Sequence, residues 1–539
     1  MIRSLVVLAV LSSAAAADLT FERYHDYDET IAFLEGLASK HPGFVRLETA
    51  GKSVQGRDLR VAIVTDLSTG EPSTKPGVYV DGGHHGNEVA SAEVPLYLLK
   101  FLLENRDSFE AVRILLSTRT FYVLPRVNPD ASEWYLRGVE VRGNLHPADD
   151  DGDGKVDEDG PEDLDGDGLV LQMAIPDADG DYVFDEAQKR FVQARRGAGR
   201  RFRIQSEGLD SDGDGRVDED GPNEGSDLNR DYPDPRDLFT GQAEARLTEP
   251  ESRAVAAFLV AHPNIGVVQS FHTFGGILFR PFGGIPDSYM PAADRAVYDR
   301  MGRNFTRYTE NKPYGRPYGP MGNIRGALID YAYGALGAYA TTAEIWRIPG
   351  PDDREVKSWS GGLEGIFGPK AERAWLDFNE KELGGSAHVA WHDFDHPTLG
   401  KVSLGGWSPW FKRNPPARYL EETCRSATVF TLYQALMTAR LSIDAVQPGA
   451  EADGWKVRAV VLNEGAFATR TRLALTLGRP EPVVVTLEDD AGELARAELE
   501  VVEAESSATV DLVPSRQPGP GAQVVVRSTK GGTNRRAVE

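Results

Sequence analysis

The stretch Gly77-Val78-Tyr79-Val80-Asp81-Gly82-Gly83-His84-His85-Gly86-Asn87-Glu88 decides how this chain reads. An apolar run ends in glycines, and His85 and Glu88 follow three residues apart. One turn there aims an imidazole nitrogen and a carboxylate oxygen at one spot. These are two of the three protein ligands that a catalytic zinc site needs. Outward from this point, Gly77–Val80 reads as a buried strand and Ala90–Glu104 as a helix. Upstream, Ile31, Leu34, Leu37 and Ala38 fall at helical spacing. Val45-Arg46-Leu47, Leu59–Val64 and Thr120–Pro125 read as further strands. Strands alternating with helices predict an α/β domain with a largely parallel sheet. Functional groups then gather at the C-terminal strand ends, where His85 lies.

A chain of 539 residues is too long for one core, so at least two domains are expected. Residues 1–17 read as a secretory signal: Arg3 is its positive start, Leu5–Leu11 its apolar centre and Ala14–Ala17 its cleavage site. No other stretch has the length and apolarity of a membrane span, so a secreted or periplasmic product is expected. Cys424 is the sole cysteine, which excludes an intrachain disulfide, and it reads as a small buried helical residue. The net charge is −24, and residues 149–224 alone carry 24 acidic against 9 basic side chains. That balance argues against nucleic acid as a partner and for cation binding in this segment.

The acidic segment is repetitive. Asp149-Asp150-Asp151-Gly152-Asp153-Gly154-Lys155-Val156-Asp157 recurs from Asp210 as DSDGDGRVD, with partial copies at Asp163–Gly168 and Asp177–Asp181. Aspartates at positions 1, 3, 5 and 9 with glycine at 6 have the spacing of calcium loops. The candidate ligands are Asp149, Asp151, Asp153 and Asp157 in the first copy, and Asp210, Asp212, Asp214 and Asp218 in the last. No Glu stands at position 12, so these are not EF-hands; they resemble thrombospondin type 3 repeats. A solvated acidic loop is the alternative. If calcium binds, it is expected to hold Arg142 and Arg230, which flank the insertion, in register. The α/β pattern resumes at Ile265 and runs to a helix near Ser426–Arg440. Beyond it, Leu441–Ala445, Trp455–Leu462, Leu473–Leu477, Val483–Leu487 and Ala508–Val513 read as short strands of a β-sandwich. The expected organisation is a signal at 1–17, a catalytic domain at 18–440 with insertion 149–224, and an accessory domain at 441–539.

Five more elements follow His85 in order: Val127-Asn128-Pro129-Asp130, Arg142-Gly143-Asn144, Asp227-Leu228-Asn229-Arg230, Ser270-Phe271-His272, and Glu344 within Ala340–Trp346. His272 at a second strand end can complete a His/Glu/His zinc site. Glu344 is costly to bury as an anion, so it should have a task, and general base fits. Arg142 can stabilise an oxyanion, with Arg137 or a purely ion-pairing role competing. Arg230 offers a planar fork for a carboxylate. His392 and His396 have metal-like spacing without a supporting motif and read as surface or structural residues.

This set, in this order, resembles the pancreatic-type zinc carboxypeptidases over about residues 21–437. The resemblance implies a three-layer α/β/α sandwich around a mixed, largely parallel sheet. It implies zinc on His85, Glu88 and His272, with Asp227 orienting His85. Arg142 would polarise the scissile carbonyl, Asn229 and Arg230 would hold the substrate's terminal carboxylate, and Glu344 would be base and then acid. The substrates implied are peptide or protein C-termini. Two other readings remain open: an amidase on cell-wall peptides, and a non-catalytic binding protein on a peptidase scaffold. The family's mobile tyrosine aligns with Gly322; Tyr318 is the nearby substitute, and Tyr333 reads as structural. Ile329 falls at the position lining the side-chain pocket, which points to an apolar or aromatic terminal residue. No inhibitory propeptide is expected between the signal and the catalytic domain.

Overall fold

The structure is a computed structural model that describes residues 19–149, 154–157, 159–194, 199–211, 225–234, 246–309, 324–347, 369–451, 454–479 and 481–538, with positions 217, 221, 239 and 314–315. The segment 1–17, expected to be a secretory signal, therefore lies outside the described residues.

The first helix, Tyr27–Lys40, starts at a capping box: Asp26 accepts from Glu29 N while Glu29 reaches back to Asp26 N. Strands β1 (Val45–Lys52), β2 (Asp58–Val64), β3 (Gly77–Gly82) and β4 (Thr120–Leu124) follow. After the acidic segment come β9 (Ile265–His272), β10 (Ile277–Phe279), β11 (Tyr314–Gly315) and β12 (Tyr339–Glu344). These eight form one sheet in the order β1-β2-β4-β3-β9-β12-β10-β11. The four central strands β4, β3, β9 and β12 are parallel, whereas β1 is antiparallel to β2, β2 to β4 and β10 to β12, with β11 parallel to β10. Every residue of β3 and β4 is buried, as a strand covered on both faces requires.

Alternation along β3 shows what covers each face. A Cβ on Gly82 would lie 2.1 Å from the Ser91 carbonyl oxygen, so helix Val89–Glu104 packs on that face. Tyr79 points the other way and meets Phe258 of helix Pro250–Ala261, ring centroids 6.2 Å apart. The result is helix, sheet, helix. Helix Ala417–Met437 lies against Val89–Glu104 and extends the first layer. No described helix is long and apolar enough to cross a membrane.

The acidic segment is more than loops. It contributes β5 (Gln172–Pro176), β6 (Tyr182–Asp185), β7 (Arg190–Gln193) and β8 (Phe202–Ser206). These pair with β13 (His388–His396) and β14 (Gly400–Trp407) in a second sheet, β13-β14-β5-β8-β6-β7, whose pairings are antiparallel. Met173, Ile175, Val402 and Leu404 give it a small core of its own.

From Leu441 the chain forms two facing sheets. One holds β15 (Leu441–Glu451), β16 (Gly454–Asn463) and β19 (Ser506–Leu512); the other holds β17 (Val483–Asp489), β18 (Gly492–Leu499), β20 (Gln523–Ser528) and β21 (Gly532–Ala537). Their inner faces share a core that includes Val457, Val461, Val485, Leu487, Val524 and Val526. One expected strand is not there: Leu473–Leu477 overlaps the helix Arg472–Thr476. Its apolar residues alternate as in a strand, but two caps decide otherwise. The Thr471 hydroxyl accepts from Ala474 N at 3.0 Å. The buried Asp294 carboxylate accepts from Arg472 N at 2.8 Å and Leu473 N at 3.0 Å.

Asp294 also accepts from the Tyr333 and Tyr339 hydroxyls, at 2.8 and 3.2 Å. One carboxylate thus ties helix Ala292–Tyr308, the sheet and the C-terminal region together. Asp294→Ala leaves two hydroxyls and two backbone N–H groups without it. The expected loss is about 2–4 kcal/mol of unfolding free energy, measured by denaturant titration; a change under about 0.5 kcal/mol would contradict this account.

Candidate metal centre and active site

The C-terminal ends of β3, β9 and β12 lie level. Gly82 is in register with Phe271, and His272 with Glu344. Register partners on adjacent strands project to one side, so His272 and Glu344 emerge together, beside the loop that carries His85. Glu88 directly precedes helix Val89–Glu104. The Glu88 carboxylate faces both imidazoles: Oε1 is 2.9 Å from His85 Nδ1, and Oε2 is 3.0 Å from His272 Nδ1. The two Nδ1 atoms are 3.2 Å apart. One ligand atom from each of the three residues lies within 4.8 Å of the others, and all three side chains are buried. Two ring nitrogens turned to each other and to one carboxylate repel unless a proton or a cation lies between them. A divalent ion preferring nitrogen and oxygen donors with one open position fits this set.

The surroundings hold these donors in place. Asp227 Oδ1 is 3.0 Å from His85 Nε2, the carboxylate–imidazole contact that fixes a ligand's tautomer. Burial pushes the Asp227 carboxyl up, but His85, Arg142 and Arg230 outweigh it and hold it far below the usual carboxylate range. Burial also works against the Glu88 anion, and the two histidines likewise reverse the effect. Arg142 donates to Asp227 Oδ2 at 3.1 Å and reaches Glu88 Oε1 at 3.5 Å. Burial raises Glu344 well above an ordinary glutamate, and the nearby Glu88 charge adds to this, against Arg142, Arg413 and Arg230. Its Oε2 is buried with no hydrogen-bond partner among the described residues.

Two glycines allow the Arg142 segment to sit this close. A Cβ on Gly86 would lie 2.7 Å from the Val141 carbonyl oxygen, and one on Gly143 would lie 1.9 Å from that of Gly225. Backbone hydrogen bonds then zip the segment to its neighbours. Gly86 N donates to Arg142 O at 3.1 Å, and Asn144 N to Ser226 O at 3.0 Å. Asn144 Oδ1 accepts from Ser226 N at 3.0 Å, and its Nδ2 donates to the buried Glu249 at 2.8 Å. These contacts tie the Arg142 segment to the stretch that leads into Asp227–Arg230. Asn128 belongs to the same clamp, donating to Gly143 O at 2.8 Å. Asp130, expected only as part of a motif, bonds Ser53, Gln55 and Arg57 and braces the loop after β1.

On the rim, Arg230 donates to Asn229 O at 2.8 Å, while Asn229 Oδ1 accepts from Leu328 N at 3.0 Å. Ile329 follows on helix Leu328–Gly334, buried in the main core. Tyr333 is buried on Asp294. Tyr318 and Gly322 lie outside the described residues. Among the expected calcium ligands, Asp151, Asp153, Asp212, Asp214 and Asp218 also lie outside them. Asp149 accepts from Gly154 N at 3.1 Å, and Asp157 adopts φ 57°. His396 is structural: its Nε2 is 2.9 Å from Gly208 O.

Sequence reasoning missed two features. His84 stacks on His272, centroids 5.4 Å apart, with its Nε2 2.9 Å from the Tyr232 hydroxyl. Burial pushes His84 down to about 4, so it backs the site as a neutral ring. Asp81, a carboxylate in an apolar strand 3.7 Å from His84, was the available signal. Arg413, 3.1 Å from Glu140 and over the Phe274 ring, adds positive potential near Glu344; its sequence neighbourhood carries no motif.

The zinc carboxypeptidase family matches residues 30–148 and 185–352, more than half of the chain. The chain belongs to the zinc carboxypeptidase family. The gap in the match falls in the acidic segment, and residues 440–539 separately match a domain of unknown function. This zinc carboxypeptidase-family chain is 33% identical to carboxypeptidase B of Astacus astacus over 108 residues, 20% of this chain and 33% of that protein. It is 34% identical to the human carboxypeptidase N catalytic chain over 118 residues, 22% of this chain and 26% of that one. The chain thus spans about a third or less of the length of these curated relatives. A solved structure of bovine thrombin-activatable fibrinolysis inhibitor, in complex with tick carboxypeptidase inhibitor, aligns over 77% of this chain and 97% of that one, at TM-score 0.44 and 15% identity.

Metal analysis of the purified protein should find one zinc per chain on this centre. His272→Ala should lose it, Asp227→Asn should weaken it roughly 10–100-fold, and Glu344→Gln should retain it. Full zinc content in His272→Ala would refute the ligand set.

Proposed function

We propose that this chain is an exported zinc metallocarboxypeptidase that hydrolyses the C-terminal peptide bond of peptides. The observation that carries the reading is the register of His272 with Glu344, which puts a carboxylate whose Oε2 is buried with no hydrogen-bond partner among the described residues beside a His/Glu/His donor set. Zinc held by His85, Glu88 and His272 would supply Lewis acidity, polarising a carbonyl and lowering the pKa of a water. Glu344, held protonation-prone by its burial, takes the proton from the attacking water and delivers it to the leaving amine. Arg142 donates to the carbonyl oxygen as charge develops there. Arg230 and Asn229 bind the substrate's terminal carboxylate, so the enzyme acts only at chain ends. Ile329 supports an apolar or aromatic terminal side chain. Residues 18–440 form the catalytic unit and 441–539 the accessory one, and calcium in the acidic segment orders the insertion.

The test is release of the terminal amino acid from an N-blocked dipeptide. The same dipeptide with an amidated C-terminus should lose at least tenfold in kcat/KM. Glu344→Gln should lower kcat by at least 100-fold with zinc retained; wild-type-like turnover would remove Glu344 as the base. Arg230→Ala should raise KM for the free-carboxylate substrate and leave the amidated one unchanged. Hydrolysis of cell-wall fragments with no action on the dipeptides would overturn the carboxypeptidase reading.

A further inference from the structure

Arg413 is neither a metal donor nor a base, and it lies outside the residues that match the family, 30–148 and 185–352. Its contacts nevertheless hold it at the metal centre. The guanidinium lies over the Phe274 ring, 6.0 Å from the centroid, two residues after His272. The Arg413 carbonyl oxygen accepts from the Thr273 hydroxyl, and Thr273 N donates to Glu88 Oε2 at 3.1 Å. Arg413 Nε donates to Glu140 Oε1 at 3.1 Å, an oxygen that also accepts from Asn87 Nδ2 at 3.1 Å. The buried Asn414 then donates to Asn87 O and accepts from Ala90 N, each at 2.9 Å. Arg413 is thus tied to both chain segments that supply the donor set.

The second sheet braces the approach to this residue. β14 ends at Trp407, whose ring stacks on Phe411, centroids 4.8 Å apart. Phe411 in turn meets Trp375 of helix Pro369–Leu383. Lys412 then adopts φ 71°, a left-handed conformation that a residue with a side chain seldom takes. Its ammonium is clamped, with Nζ 2.8 Å from Glu372 Oε2 and 4.6 Å from the Trp407 ring centroid. Glu372 Oε1 accepts from Trp407 Nε1 and from Arg190 of β7, each at 2.8 Å. Backbone strain of this kind persists where the surroundings enforce it, and it concentrates at ligand clamps. Here it falls on the residue that sets the direction of Arg413.

One edge of the Arg413 fork is held by Glu140 and one face is covered by Phe274, while 27% of the side chain stays exposed. Among the described residues nothing hydrogen-bonds its Nη1 or Nη2. A guanidinium fixed in this way is ready for a planar, bidentate acceptor such as a carboxylate. Arg230 has a separate place on the rim, bonded to Asn229 O, and Asn229 is bonded to Leu328 N. With the terminal carboxylate on Arg230 and the scissile carbonyl at Arg142, Arg413 is left for the part of the substrate upstream of the scissile bond. We propose that Arg413 is a specificity-determining residue that binds an acidic side chain on the substrate residue just before that bond. The preferred substrates are then peptides with Glu or Asp as the penultimate residue. This rests on the carboxypeptidase reading and names its substrate class.

The test reads binding apart from turnover. Calorimetry on the full-length, zinc-loaded Glu344→Gln protein compares N-acetyl-glutamyl-phenylalanine with N-acetyl-glutaminyl-phenylalanine, which differ only in the carboxylate. The glutamyl peptide should bind at least tenfold more tightly. Adding Arg413→Gln should bring the two within twofold of each other, with zinc content and circular dichroism unchanged. Arg413→Lys, which keeps the charge and loses the fork, should restore only part of the difference. With the unsubstituted protein the same preference should appear in KM rather than kcat. Equal binding of the two peptides would overturn this inference and leave the carboxypeptidase reading intact. A preference that survives Arg413→Gln, or loss of zinc in that variant, would overturn the role of Arg413. Failure of both peptides to bind would overturn both readings.

Discussion

Everything at the candidate metal centre depends on three parallel strands ending level. β3, β9 and β12 run side by side, and their last residues carry or introduce His85, His272 and Glu344. A strand has a side-chain period of two, so slipping β12 by one residue would turn Glu344 into the opposite layer. The buried apolar residues of these strands enforce the register, because the same slip would empty the core on one face and overfill it on the other. The geometry of the candidate site is therefore a by-product of core packing.

A second constraint is electrostatic. Glu88, Asp227 and Glu344 bring three carboxylates to a buried site, and Arg142, Arg230 and Arg413 surround them. The arginines do not neutralise the three equally. Asp227 has His85 and Arg142 in direct contact and stays ionised, while Glu344 is left without a partner on Oε2 among the described residues. Neighbouring acids pushed in opposite directions are the arrangement from which acid–base roles arise. Holding it requires Arg142 to stay within about 3 Å of its partners, and the Asn144–Ser226 zipper does this.

Much of this was legible in local sequence. The helices at Tyr27–Lys40 and Val89–Glu104 and the central strands follow from periodicity, and the His85–Glu88 spacing places two donors on one turn. What was not legible depends on contacts distant in sequence. The second sheet escaped notice because β5–β8 are four or five residues each and find part of their pairing near residue 400. Leu473–Leu477 misled because its alternation is real, and only Asp294, remote in the chain, makes it helical. The separate parts played by Asn128, Asp130 and Asn144 as clamps were likewise invisible, since a motif does not say which backbone atom it holds.

The second sheet also constrains how the chain is made. Ala174 pairs with Ser403, so β5 emerges from the ribosome more than 200 residues before its partner β14. At typical synthesis rates that is a delay of roughly 10–45 s. During it the edge of β5, with Met173 and Ile175, has no strand to cover it. Unpaired edges of this kind invite association between nascent chains, and dense like charge is a standard deterrent. The aspartates that flank these strands put such like charge beside the uncovered edge until the second half of the sheet arrives.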